Sequence, residues 1–255
     1  RFPIPRLPDG MPITVNRLQS TRQWAYFLAR SANNDVAEGK IEKALEKYFC
    51  ILRLGRHSSQ QPVALEILTG IGMESIALQR LRFCIIEAGL TDEQIQTIEH
   101  ALRQSDDEWT REWNDMIEVE TLYNKQSPLL SRLKSWWQDW RSNKSIFDRL
   151  NEIRLRFLAD RRGTHIIIGL RRYKNKNNQW PKSLNDLQPF LDKNILIDPQ
   201  NNASFVYKLT GDGFVFYSKG KNNVDEGGRK RNGADDWPIW LPKDYKTQGT
   251  TTNKR

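Results

Sequence analysis

Between Ser218 and Asp236 the chain offers the oxygen donors Asn222, Asn223, Asp225, Glu226, Asp235 and Asp236, interspersed with Gly220, Gly227, Gly228 and Gly233. Calcium takes six to eight hard oxygen ligands in a flexible geometry, best supplied by carboxylates, amide oxygens and loop carbonyls. Glycines let such a loop fold its carbonyls inward. Arg229, Lys230 and Arg231 lie in the same stretch. Two outcomes are therefore open: a calcium site with the basic side chains turned outward, or a solvated loop tied down by Asp–Arg pairs.

Other chemistry-bearing residues point to structure. His57, His100 and His165 are widely separated, with no HExxH spacing and no serine or cysteine placed as a nucleophile beside them. Gly70-Ile71-Gly72 lacks the third glycine of a dinucleotide site and marks a close helix approach. Asp106-Asp107-Glu108 suits the start of a helix, where acids complement the dipole. Cys50 and Cys84 sit among apolar residues as thiols or, alternatively, as one disulfide; two thiolates make only half a zinc site. Trp109 and Trp113, with Trp136, Trp137 and Trp140, form aromatic helical faces. They serve either as core between consecutive helices or as a surface that docks a partner protein. No catalytic residues emerge, and the chain is expected not to be an enzyme.

The elements that must position these groups follow from composition and period. With 255 residues, 38% hydrophobic and 28% charged, the chain can build a large core. The charge of +9 is uneven: residues 144–255 hold 22 Lys and Arg against 12 Asp and Glu, residues 1–143 hold 18 against 19. A basic field of this kind can favour anionic lipid, nucleic acid or an acidic protein. The acids interleaved among the tryptophans argue against nucleic acid. No apolar run reaches the ~20 residues that span a bilayer.

Residues 1–15 are a Pro-rich tether. Residues 16–143 read as antiparallel helices joined by short turns. The first starts near Asn16, with Leu18, Trp24, Phe27 and Leu28 on one face. The second runs from about Asp35, with Ile41, Leu45, Tyr48 and Leu52 spaced for a helix and a stop near Gly55. Gly89-Leu90-Thr91-Asp92-Glu93 stops one helix and caps the next. A break near Ser127-Pro128 precedes a helix carrying Leu130, Leu133, Trp137 and Trp140. A long helix from Ser145 to about Tyr173 opens the C-terminal part, residues 144–242. Short strands follow at Phe205-Val206-Tyr207 and Phe214-Val215-Phe216-Tyr217, turned by Gly211-Asp212-Gly213. Residues 243–255 form a polar, disordered tail. The fold class is α+β: a helical-hairpin or solenoid-like domain, then a long helix with a small antiparallel sheet.

Trp24, Ala44 and Tyr48 give the helical part an architectural resemblance to TPR-like helical repeats. The C-terminal order is more specific. Leu170-Arg171-Arg172-Tyr173 is followed by Asn178-Gln179-Trp180-Pro181, Ser183-Leu184-Asn185-Asp186-Leu187 and Ile197-Asp198-Pro199. Then come the two strand segments, Ser218-Lys219-Gly220, Asp225-Glu226-Gly227-Gly228 and Asp235-Asp236-Trp237. This order resembles the globular domain of type II secretion major pseudopilins. The resemblance implies a final loop pinned to the sheet by calcium. It carries the first acidic ligand position onto Asn222 and the second acidic pair onto Asp235 and Asp236, with Ser218 alongside and Asp225 compensating for the amide at 222.

The expectation is a scaffold or accessory protein with a calcium-stabilised C-terminal domain and a protein partner. It is placed outside the cytoplasm, with a membrane anchor ahead of Arg1. A hydrolase whose residues converge only in three dimensions, or a nucleic-acid binder using the basic part, is the alternative.

Overall fold

The computed structural model describes residues 15–60, 62–103, 106–126, 146–211, 213–230, 233–242 and 245. The helices are α1 (Val15–Ala37), α2 (Ile41–Ser59), α3 (Ala64–Glu87), α4 (Asp92–Arg103), α5 (Asp106–Gln126) and α6 (Ile146–Asn177). The strands are β1 (Val206–Thr210), β2 (Gly213–Ser218) and β3 (Trp237–Trp240). The class is α+β. Residues 1–14 of the tether, the helix expected around Leu130–Trp140 and all of the tail but Tyr245 fall outside the described residues.

These residues form two compact units. One comprises the described residues to Arg80 together with those of Gln96–Arg149, the other Leu81–Ile95 together with the described residues from Leu150. The sequence reads a boundary at 143/144; the second unit takes in Leu81–Ile95 as well as the described residues from Leu150. Arg82 of α3 pairs with Asp160 of α6 at 2.9 Å, and Asn175 donates to Asp92 at 2.8 Å. Phe83 and Trp240 stack with centroids 6.5 Å apart.

In the first unit α1 buries Leu18, Ala25, Ala29 and Ala32, spaced to share one face. The face expected from Trp24 and Phe27 is not the buried one: they are 63% and 58% exposed. Alanine at 25, 29 and 32 lets another backbone come close, whereas a buried tryptophan there would hold it away. The antiparallel α1–α2 pair is joined by Tyr48 Oη donating to Asn33 Oδ1 at 2.8 Å and Lys47 Nζ donating to Ser31 Oγ at 2.7 Å.

Gly39, at φ +73°, ends α1, and α2 then runs straight through Gly55 to Ser59. Gly55 is thus no helix stop but a contact point. A Cβ there would meet the Gly70 carbonyl oxygen at 2.8 Å, and one on Gly70 would meet the Gly55 oxygen at 2.5 Å. The obstacle is backbone, which cannot swing aside. Gly70→Ala is expected to lower stability by about 1–3 kcal/mol. Gly72→Ala, where a Cβ meets nothing within 4 Å, should raise it by up to about 1 kcal/mol. Urea midpoints of the two variants check the contrast.

Trp109 and Trp113 of α5 are buried, 4% and 6% exposed. Trp109 Nε1 donates to Glu74 Oε1 at 3.1 Å, and the Arg56 guanidinium lies 5.2 Å from its ring centroid. Arg56 grips Glu112 with two bonds of 2.7 Å, and Ser59 Oγ donates to the same carboxylate. These two rings are core, the first of the two roles the sequence leaves open for them. Trp136, Trp137 and Trp140 lie outside the described residues.

In the second unit α6 is buried nearly all round from Ala159 to Leu170, as expected of a helix enclosed by its domain. Two glycines admit neighbours: Gly163 against Ile239 of β3 and Gly169 against Leu191. The sheet order is β1-β2-β3, antiparallel throughout, with Val206 opposite Tyr217 and Thr210 opposite Gly213. Central β2 is buried from Phe214 to Ser218. β3 was not legible in the sequence. It is four residues long and contains Pro238, which an edge strand tolerates.

Thr91 caps α4 as its spacing suggests, its Oγ1 accepting from Gln94 N–H at 3.3 Å while Gln94 Oε1 accepts from Thr91 N–H at 3.0 Å. Cys50 is half-buried and Cys84 buried, each as a thiol.

Candidate metal centre

β2 delivers the chain to Ser218, and β3 begins at Trp237, so the loop between them must return over the end of the sheet. Asp235 and Asp236 close that loop just before β3. Glu226 lies midway along it. One ligand oxygen from each of Glu226, Asp235 and Asp236 falls within 4.8 Å of the others.

Each acid also organises backbone. Asp235 Oδ2 accepts from the N–H groups of Lys221 at 2.9 Å and Asn222 at 3.2 Å. Asp236 Oδ2 accepts from Gly228 at 2.7 Å and Glu226 at 3.0 Å. Glu226 Oε2 accepts from Asp235 at 2.7 Å, and its Oε1 from the Asn222 amide group at 3.1 Å. The loop is thus laced by its own carboxylates.

That lacing consumes one oxygen of each aspartate. The other, Oδ1, is buried in both and has no hydrogen-bond partner among the described residues. Asp236 is fully buried. A buried carboxylate oxygen without a partner is costly, and a second beside it is more so. Gly220, at φ +63°, makes room for the arrangement: a Cβ there would stand 2.3 Å from Asp235 Oδ1. A calcium ion bound at about 2.4 Å can bridge oxygens up to about 4.8 Å apart. Magnesium demands near-ideal octahedral geometry and gives up its waters reluctantly, so an irregular loop of carboxylates suits it less. The donor set is all oxygen, which suits calcium better than zinc with its preference for nitrogen and sulfur.

Two basic residues of the loop, Arg229 and Lys230, find partners other than the acid side chains. Arg229 Nε donates to the Glu226 carbonyl at 2.9 Å. Lys230 Nζ lies 3.5 Å from the Trp237 ring centroid, whose ring also meets Arg156 at 5.3 Å. Among the described residues neither Arg229 nor Lys230 forms an ion pair with Glu226, Asp235 or Asp236. Arg231 lies outside them.

Of the side chains the sequence singled out, Asp235 and Asp236 come together. Asn222 sits beside them through Glu226, while its Oδ1 accepts from Val224 N–H at 2.7 Å. Asp225 does not join: its oxygens take the Tyr217 hydroxyl at 2.6 Å, Gly227 N–H at 3.0 Å and Lys208 at 2.9 Å. Those donors, Lys208 foremost, hold its carboxyl down at about 2 against the opposing effect of burial. Ser218 does not join either. Its buried Oγ accepts from Gln200 Nε2 at 2.7 Å and Gly220 N–H at 3.0 Å, within a second network around the buried Asp198. Asn201 extends that network, donating to Asp198 Oδ2 and to the Gly220 carbonyl. Glu226 is the member the family pattern did not supply. Its type and its place in the loop were the only signals for it.

Burial lifts the Asp236 carboxyl to about 6, the hydrogen bonds from Gly228 and Glu226 oppose this, and the neighbouring Glu226 and Asp225 charges add to it. An unfolded aspartate titrates near 3.9. Between those values the folded chain binds more protons than the unfolded one, so stability without a cation falls as pH rises through about 6. Burial raises Asp160 and Asp198 in the same direction. In chelator, the melting temperature is therefore expected to rise as pH falls from about 7 to about 5. Protons compete with any bound cation, so the increment that calcium adds should shrink over the same interval.

His57 and His100 are exposed and His165 is buried in α6, with nothing that brings the three together. Comparison with known proteins adds no identity: no family model, no curated protein and no solved structure matches this chain.

Proposed function

We propose that this chain is a non-enzymatic scaffold or accessory protein whose C-terminal unit is held in shape by calcium. The observation that carries the reading is the pair of buried, unpartnered oxygens on Asp235 and Asp236 beside Glu226. Without a cation they are an electrostatic defect; with one they are ligands. The pseudopilin resemblance of the C-terminal part supports the reading, and we take that part as a displaced module behind a helical domain. The helical unit, TPR-like in its antiparallel hairpin, supplies the surface for a protein partner. Calcium dependence suits an extracytoplasmic setting, where free calcium is higher. No helix of the described residues is long and apolar enough to cross a membrane.

Calorimetric titration of chelator-treated protein with calcium tests the reading. A single site is expected, with weaker binding of magnesium. Absence of heat, together with an unchanged melting temperature, overturns it.

A further inference from the structure

Gly220 lies where the acidic loop leaves β2, and both peptides flanking it are held by residues outside the loop. Its N–H donates to Ser218 Oγ at 3.0 Å. Its carbonyl accepts from Asn201 Nδ2 at 2.7 Å. That carbonyl and the Lys221 N–H belong to one trans peptide, so they point in opposite directions. Asn201 holds the carbonyl on one side, and the N–H is thereby aimed to the other, at Asp235 Oδ2, 2.9 Å away. With Oδ2 engaged, Oδ1 is the oxygen of Asp235 left without a partner among the described residues. It packs against Gly220, where no side chain intrudes.

Asn201 is itself fixed. Its Nδ2 has two hydrogens and two acceptors, the Gly220 carbonyl and Asp198 Oδ2 at 3.0 Å, while its Oδ1 accepts from Ala203 N–H at 2.9 Å. Asp198 is fully buried and opens a tight turn. Its N–H donates to the Ala203 carbonyl at 2.7 Å, and its carbonyl accepts from Asn202 N–H at 2.8 Å. Asp198 Oδ1 accepts from Gln200 N–H at 3.0 Å, and Gln200 Nε2 donates to Ser218 Oγ at 2.7 Å. Arg162 of α6 donates to the Ile197 carbonyl at 2.7 Å and ties the turn to the long helix. A buried carboxylate is a costly way to build a turn. Here two of the residues that bond it, Gln200 and Asn201, also reach the start of the acidic loop.

We propose that the turn from Asp198 to Ala203 is the outer support of the cation site, with Asn201 as the positioning residue that sets which Asp235 oxygen faces the cation. The inference rests on the calcium reading and adds to it the part of the chain that holds the ligands ready. Without Asn201 the Gly220–Lys221 peptide is free to turn about its flanking bonds, and the Lys221 N–H loses its aim at Asp235 Oδ2. Outer partners of metal ligands contribute about 10–100-fold to affinity.

Calcium titration calorimetry of the whole, chelator-treated chain tests the proposal with Asn201→Ala, whose Kd should rise about tenfold or more. Tyr207→Phe removes a different bond of the same unit, from Tyr207 Oη to the Pro181 carbonyl at 2.9 Å, and should leave Kd unchanged. Gln200→Ala takes one donor from Ser218 and leaves Asn201 intact. It should weaken binding in the same direction, and it carries the test if Asn201→Ala does not fold. In chelator, the Lys221 amide should exchange faster in Asn201→Ala than in the wild type, and no faster in Tyr207→Phe. Absence of heat in the wild type overturns the calcium reading and this inference with it. Heat in the wild type with an equal Kd in Asn201→Ala, or an equal loss in Tyr207→Phe, overturns the inference alone.

Discussion

Asp236→Asn is expected to remove most of the rise in melting temperature that calcium confers. A ligand at a hundred times its Kd stabilises the native state by about 2.7 kcal/mol. For a chain of this size that is about 5–10 °C. Asparagine keeps the shape of the side chain and an oxygen for the Gly228 and Glu226 amides. It lacks the charge that a hard cation requires. In chelator the variant should match or exceed the wild type, since a buried charge beside Glu226 has gone. Asp235→Asn should behave alike. Asp225→Asn should leave the calcium increment standing, because Asp225 serves Tyr217, Gly227 and Lys208. Differential scanning calorimetry of the three variants, with and without calcium, separates the roles. Equal loss in Asp225→Asn would show that the ligand set is different.

The second large effect lies in the core. Arg82 and Asp160 are both almost fully buried and 2.9 Å apart. Arg82 also donates to the Asp160 carbonyl at 3.2 Å and to Thr164 Oγ1 at 3.3 Å. Burial pushes the Asp160 carboxyl up, and the Arg82 guanidinium draws it back. Arg82→Ala leaves that carboxylate buried without its cation, and stability should fall by about 3–5 kcal/mol. Arg82→Met combined with Asp160→Leu should recover most of the loss, because an apolar pair of similar volume avoids the desolvation of both charges. Guanidinium denaturation reads both results. A loss below about 1 kcal/mol in the single variant would mean that the pair behaves as a solvated one.

These effects rest on features of unequal visibility in the sequence. Helices with strong period were legible, as were the Gly89–Thr91 stop and start and the β1–β2 hairpin, because each is set by local chemistry. The α1 face was not. Apolarity ranked Trp24 and Phe27 above Ala25, Ala29 and Ala32, yet close packing selected the small residues. Gly55 suggested a stop because glycine usually weakens helices, and only the approach of α3 shows why it sits inside one. β3 escaped notice through its shortness and its proline.

At the site, Asp235 and Asp236 were legible from type, spacing and resemblance. Their orphaned oxygens were not, since these depend on which amides the loop happens to present. For the same reason Asp225 and Ser218 could not be told apart from ligands. Their partners, Tyr217, Lys208, Gln200 and Asp198, come from distant segments. The tryptophans of α5 show the converse: a helical stripe fixed their shared face, and tertiary contacts with Glu74 and Arg56 decided that it faced inward.

The central claim is that a cation completes the loop between β2 and β3. Hydrogen exchange of the loop amides in calcium and in chelator tests it most directly. Calcium is predicted to slow exchange at Lys221, Asn222, Glu226, Gly228 and Asp235, whose N–H groups bond the three acids. Identical exchange at those amides in both conditions would contradict the account.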